Sequence, residues 1–192
     1  MKRVVSFLLV IMMILGCNLA LADERYGNWQ VKAFVDEFDL PTNEYYAVTS
    51  VEGHFSNSAT SKSKLGAVLF FMNWSDTHTA YIEIRLFEYG NTRVSNYSSK
   101  NTEYYDVLVM DTEGNKVSLT GRIPPQDTDM IFYNFSSNDD NAKLVNILTA
   151  STTGTVRFSI TERDNTLNKY VFAVDVDGLK DACDSCKINM KP

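Results

Sequence analysis

"TVRFSITERDNTLNKYVFAVDV", Thr155 to Val176, decides the fold. Apolar residues take every second place in both halves: Val156, Phe158 and Ile160 in the first, Tyr170, Phe172, Val174 and Val176 in the second. Period two marks a strand buried on one face. Between the halves, Arg163 to Asn168 carries Asp and Asn, the chemistry of a turn. The stretch therefore predicts a hairpin whose two strands face one apolar layer.

The same alternation recurs to the N-terminal side. "NWQVKAF" puts Trp29, Val31 and Ala33 on one face, and "AYIEIRLFEYG" sets Ile82, Ile84 and Leu86 opposite Tyr81, Glu83, Arg85 and Phe87. "YYAVTSV", "LGAVLFFMNW", "EYYDVLVMD", "NKVSLTG" and "MIFYNF" read alike, rich in the β-branched and aromatic residues that suit a pleated surface. "YDVLVMDTEGNKVSLTG" predicts a second hairpin, turning at Asp111 to Asn115. His54 to Gly66, rich in Ser and Lys, predicts a loop between strands.

One segment breaks the pattern. In "SSNDDNAKLVNILTASTTG", Leu144, Ile147 and Leu148 have helical spacing, Asn and Asp offer caps, and Gly154 offers a stop. "DGLKDACDSC" near the end predicts a further short turn. About eight or nine strands with one or two short helices imply an all-β domain, an antiparallel β-sandwich over residues 23–192.

The first residues, "MKRVVSFLLVIMMILGCNLALADERYG", have a basic start at Lys2 and Arg3, an apolar run from Val4 to about Leu15, and small residues at Ala20 and Ala22. That is the order of a secretory signal peptide, residues 1–22, cleaved before Asp23. The run is shorter than the roughly 20 residues that span a bilayer. Ile14, Leu15, Gly16 and Cys17 support an alternative, since they resemble the lipobox of bacterial lipoproteins, in which Cys17 would be acylated. Either way the chain is expected to be exported, to the periplasm or beyond.

Charge narrows the partners. The chain has 18 Lys and Arg against 24 Asp and Glu, and loss of Lys2 and Arg3 with the leader takes the net charge from −6 to −8. Such a surface repels phosphate backbones, so no nucleic-acid partner is expected.

After the leader, Cys183 and Cys186 remain. In an oxidising compartment an even pair is read first as a disulfide, here a small C-terminal clasp. A redox CxxC would need a depressed thiol pKa, and Asp181 and Asp184 work against one. Zinc on Cys183, Cys186, His54 and His78 would draw on histidines without paired spacing, so no metal is expected. "DVDG", Asp175 to Gly178, lacks the later ligands of a calcium loop. No Gly-x-Ser-x-Gly elbow, phosphate loop or His-Glu-x-x-His helix occurs. The carboxylates of "VDEFD" and "SNDDN" read as solvated charge. No cofactor and no catalytic residue is expected, and the chain reads as a non-enzyme.

Aromatics are the remaining signal, with ten Tyr and eleven Phe. Alternation sends one member of each doublet, Tyr45 with Tyr46 and Tyr104 with Tyr105, inward and the other outward. Outward tyrosines suit protein or sugar contacts, so these four are the candidate binding residues. Asn73, Asn96 and Asn134 fit the glycosylation sequon, which matters only in a eukaryotic secretory route.

Three stretches taken together, "YGNWQVKAFVDEFDLPTNEYYAV", "LVNILTASTTGTVRFSI" and "YVFAVDVDGLKDAC", carry a family pattern. A G-x-W strand leads into an acidic segment, a short apolar helix leads into a strand, and an aromatic strand leads to Gly-Leu and a cysteine. The order resembles the type VI secretion-associated VasI/TagO family over most of the mature chain. The resemblance implies a bacterial periplasmic accessory protein without catalytic activity. Trp29 would match the family's early tryptophan, and Gly178, Leu179 and Cys183 its C-terminal signature. The cysteines depart from the family: it pairs the late cysteine with one in mid-chain, where this sequence has none and offers Cys186 instead.

The leading expectation is thus an exported β-sandwich that binds another cell-envelope protein. A carbohydrate- or small-ligand-binding module is the alternative, and a thiol redox protein a third. Binding surfaces of sandwiches lie in loops and edges, so the residues name neither the partner nor the oligomeric state.

Overall fold

The computed structural model describes residues 24–73, 80–94, 100–125, 132–133 and 138–188. The expected leader, Cys17, His78, Asn96 and Asn134 lie outside the described residues. The strands are β1 (Glu24–Tyr26), β2 (Trp29–Val35), β3 (Pro41–Ser56), β4 (Ser63–Asn73), β5 (Ala80–Glu88), β6 (Thr92–Arg93), β7 (Glu103–Met110), β8 (Lys116–Ile123), β9 (Phe132–Tyr133), β10 (Thr155–Glu162) and β11 (Lys169–Asp175). Two helices, α1 (Asn138–Thr149) and α2 (Leu179–Ser185), complete the described chain. The fold is all-β, as expected.

The sandwich is realised as one open antiparallel sheet, in the order β6-β5-β4-β3-β11-β10-β7-β8, with β1 and β2 as a branch from β3. Strand β3 is the hub because it is long enough to serve three neighbours. Along one edge it pairs with β4 from Tyr46 opposite Met72 to Phe55 opposite Ser63. Along the other it pairs first with β2, with Ala47 opposite Val31, and then with β11, with Gly53 opposite Phe172. The changeover needs Gly53: a Cβ there would overlap the Val171 carbonyl and sit 2.7 Å from Phe172 Cβ.

The inward positions meet in one core. Leu65, Leu69 and Phe71 of β4, Ile82 and Ile84 of β5, Val107 and Val109 of β7, Phe158 and Ile160 of β10, and Phe172 and Val174 of β11 are all buried in it. Phe158 and Phe172, directly opposite in register, stack with centroids 4.8 Å apart. Burying a large apolar side chain contributes roughly 1.5–3 kcal/mol, so this layer supplies the main drive to fold.

The gap between β5 and β8 is bridged by β9, which pairs with β5, and by α1. Helix α1 turns Leu144, Val145 and Leu148 into the core. The polar residues of its first turn reach sideways. Thr120 N of β8 donates to Asp140 Oδ2 at 3.1 Å, and Ile82 N of β5 donates to Asn141 Oδ1 at 3.2 Å. One helical turn thereby holds strands from both margins of the sheet.

The two ends of the described chain meet. Trp29, fully buried, donates its indole Nε1–H to the Asp175 carbonyl at 3.0 Å. Gly27 (φ 58°) and Gly178 (φ 81°) lie back to back, where neither backbone leaves room for a Cβ. Helix α2 follows Gly178, packs on β1, β2 and β3, and buries Leu179, Ala182 and Cys183.

Three local expectations change. The loop expected over His54 to Gly66 is confined to residues 57–62, because the ladder between β3 and β4 runs on to Phe55 and Ser63. Asn57 Oδ1 closes that loop by accepting from the backbone of Ala59 and Thr60. The turn expected in "DGLKDACDSC" is the helix α2. Of "MIFYNF", only Phe132 and Tyr133 are described as strand.

Candidate binding surfaces

The disulfide expected between Cys183 and Cys186 is not formed: both are free, buried thiols. Cys183 lies inside α2 and Cys186 is its C-cap. Helical bonds hold their backbones, with Cys186 N donating to the Ala182 carbonyl and Ile188 N to the Cys183 carbonyl. Both belong to the buried core, Cys183 beside Leu179 and Ala182, and Cys186 also feels the Glu24 carboxylate of β1. The two thiols are near enough for Cys186 to act on Cys183, yet no bond joins them. Burial pushes both thiols upward, Cys186 to about 12. That is the reverse of what a reactive thiolate requires.

The tyrosine doublets follow alternation. Tyr105 is buried and donates to Glu103 Oε2 at 3.1 Å, while Tyr104 is exposed with the Arg163 guanidinium 5.7 Å from its ring centroid. Tyr45 packs against the core, and Tyr46 takes the outer face. These four residues do not form one site, since β11 and β10 stand between β3 and β7 in the sheet. His54 is in β3 and both cysteines are at α2. Among the described residues, no three His, Cys, Asp or Glu side chains are grouped to hold a metal ion.

Around Tyr46 the outer face forms a groove of about 730 Å³, spanning β1 to β5. A diagonal row of side chains crosses this face, and its Tyr46, Phe70 and Arg85 line the groove. Phe34 of β2 meets Tyr46 of β3 at 4.8 Å between centroids, Tyr46 meets Phe70 of β4 at 5.7 Å, and the Arg85 guanidinium of β5 lies 4.4 Å above Phe70. Diagonal neighbours on adjacent strands are within reach of such long side chains. Glu83, buried although charged, pairs with Arg85 Nε at 2.6 Å. Arg25 and Lys32 complete the cationic lining. Gln30, with its amide oxygen turned toward the Arg25 guanidinium, accepts from Nε at 3.1 Å.

Beyond the groove, the β2–β3 hairpin ends in a cluster of exposed apolar residues. Val35 is 58%, Phe38 73% and Leu40 59% exposed. The tip is built rather than slack. Asp36 Oδ1 accepts from the backbone of both Phe38 and Leu40 at 2.9 Å, and Asp36 N donates to the Leu40 carbonyl at 2.9 Å. Asp39 adopts a left-handed φ of 60° to close it, a conformation Asp tolerates better than most residues. The cost of exposing Phe38 is therefore met by a dedicated turn.

Of the four tyrosines expected to bind, Tyr46 lines the groove. The groove draws on five strands whose neighbours only the fold reveals. The tip was open to inspection in "FVDEFDLP", where apolar residues interrupt the carboxylates at a turn.

The architecture defines the class as all-β, an open antiparallel sheet closed over by one helix. No family model, curated protein or solved structure matches the chain. No helix among the described residues is long and apolar enough to cross a membrane.

Proposed function

We propose that this is an exported, non-enzymatic protein that binds another cell-envelope protein through the tip of its β2–β3 hairpin. The accessory role in type VI secretion implied by the VasI/TagO resemblance is of this kind. The observation that carries the reading is the tip itself: Val35, Phe38 and Leu40 stand in solvent on a turn braced by Asp36. Clustered exposed apolar side chains with a polar surround mark interaction sites. Asp36, Glu37 and Asp39 decide the occupant. Three carboxylates beside the apolar residues disfavour an anionic lipid surface and favour a protein pocket that is apolar within and basic at its rim.

The test is site-specific photocrosslinking in the native host. A benzoyl-phenylalanine in place of Phe38 is expected to give an adduct with an envelope protein. The same probe at Leu167, comparably exposed at 60%, serves as the control. No adduct at position 38, or the same adducts at both positions, would overturn the reading, as would lipid or a second copy of this chain as the sole adduct.

A further inference from the structure

The groove on the outer face is lined by residues other than those of the hairpin tip, and its chemistry differs. Tyr46 and Phe70 form an aromatic pair in its lining, each side chain only partly buried. Cations stand along it at Arg25, Lys32 and Arg85. Arg85 is offset by Glu83, and Asp175 lies near one end, reached by Asn28 Nδ2 at 3.3 Å. Arg25 meets the neutral amide of Gln30, and Lys32 has no carboxylate within ion-pair distance among the described residues. A positive groove on a chain of net charge −6 collects anions by its local field.

Polar side chains share the lining: Asn28, Gln30 and Ser50 stand beside the rings and the cations. A protein hot spot would be predominantly apolar and desolvated at its centre. Aromatic faces beside amide and hydroxyl groups instead fit a ligand with flat C–H faces and many hydroxyls, and the cations add a demand for negative charge. The volume of about 730 Å³ falls within the usual range of ligand sites.

We infer that this groove binds a carboxylated oligosaccharide, a sugar ring lying against Tyr46 beside the Arg85–Phe70 pair and a carboxylate meeting Lys32 and Arg25. The sugar hydroxyls then exchange hydrogen bonds with Asn28, Gln30 and Ser50. Because the carboxylate contact is charge-assisted, affinity falls as salt rises.

Calorimetry on the mature chain with galacturonate trimer, and with the neutral galactose trimer as its matched control, tests this. The acidic trimer is expected to bind at least about tenfold more tightly than the neutral one, and Lys32→Ala to remove most of that difference, from the usual strength of a hydrogen bond to a charged group. Phe38→Ser is expected to leave it unchanged, which separates this site from the hairpin's partner. Equal affinity for both trimers, no binding of either, or undiminished binding by both Lys32→Ala and Arg25→Ala would overturn the inference. Tighter binding of a tetraglutamate peptide than of the acidic trimer would do the same, assigning the groove to acidic protein segments.

Discussion

Asn141, in the first turn of α1, donates to the Ala80 carbonyl at 2.8 Å and accepts from Ile82 N at 3.2 Å, so one amide satisfies two backbone groups of β5. With the Asp140 contact to Thr120 N in β8, this turn spans the open side of the sheet. Asn141→Ala should destabilise the protein by about 2–3 kcal/mol, because partly buried backbone groups lose their partners. Urea denaturation measures the loss, and hydrogen exchange should show the Ile82 amide losing protection first. Unchanged protection at Ile82 would mean that α1 is not what holds that margin.

Gly53→Ala should cost about 1–3 kcal/mol or more through overpacking, since the added methyl meets the Val171 carbonyl and Phe172 Cβ of β11. Gly114→Ala is the comparison: its φ is 93° but nothing lies within 4 Å, so that variant reports backbone strain alone. A smaller loss for Gly53→Ala than for Gly114→Ala would contradict the close approach of β3 and β11.

The thiols should be silent in the folded protein. Ellman's reagent at about pH 8 is expected to modify Cys183 and Cys186 only as the chain unfolds, because both are buried and held protonated. Cys183→Ser should lower stability by about 1–3 kcal/mol by burying a hydroxyl without a prepared partner. Rapid modification of either native thiol would show that α2 opens readily.

Stability should fall on the alkaline side. Burial raises the folded-state pKa of Cys183, Cys186, Tyr105 and Tyr170, and for the tyrosines the neighbouring carboxylates add to it. A group raised on folding favours the folded state below its unfolded pKa and loses that contribution as pH climbs toward the folded value. The urea midpoint should therefore hold to about pH 8.5, then decline through the unfolded thiol and phenol range near 8.5–10. Tyr170→Phe, which removes a hydroxyl bonded to Glu88 Oε1 at 3.0 Å, should flatten the upper part of that decline.

Phe38→Ser should leave the urea midpoint within about 0.5 kcal/mol of the parent, as expected for an exposed position, while weakening the partner complex by about 2 kcal/mol or more if Phe38 is the anchor. A midpoint shift larger than the binding loss would make Phe38 a structural residue instead.

Much of this architecture can be read from single residues. Val156, Phe158 and Ile160 face the core with Tyr170, Phe172 and Val174, and the turn between them falls at residues 163–168 because β10 ends at Glu162 and β11 begins at Lys169. Period two identifies the buried face of a strand directly. It does not reveal which strands become neighbours. The length of β3 and its change of partner at Gly53 depend on contacts with β11, more than a hundred residues away in sequence. The groove is legible only at Tyr46, an outward tyrosine of a doublet, because Arg25 and Arg85 come together with it only once β1 to β5 are aligned. The cysteines differ from expectation because their spacing favours a bridge, whereas at α2 both remain buried, unbonded thiols.

The indole of Trp29 finds its acceptor only at Asp175. A chain emerging N-terminus first must therefore carry Trp29 through nearly its whole synthesis without that acceptor, although β2 already has β1 and β3 to pair with, and β3 must wait equally long for β11. Contacts so distant in sequence slow folding. Strand β11 is thus the piece that joins strands β1 through β5 to β10, β7 and β8, and its loss would strip the indole of its acceptor and leave part of one edge of β3 open.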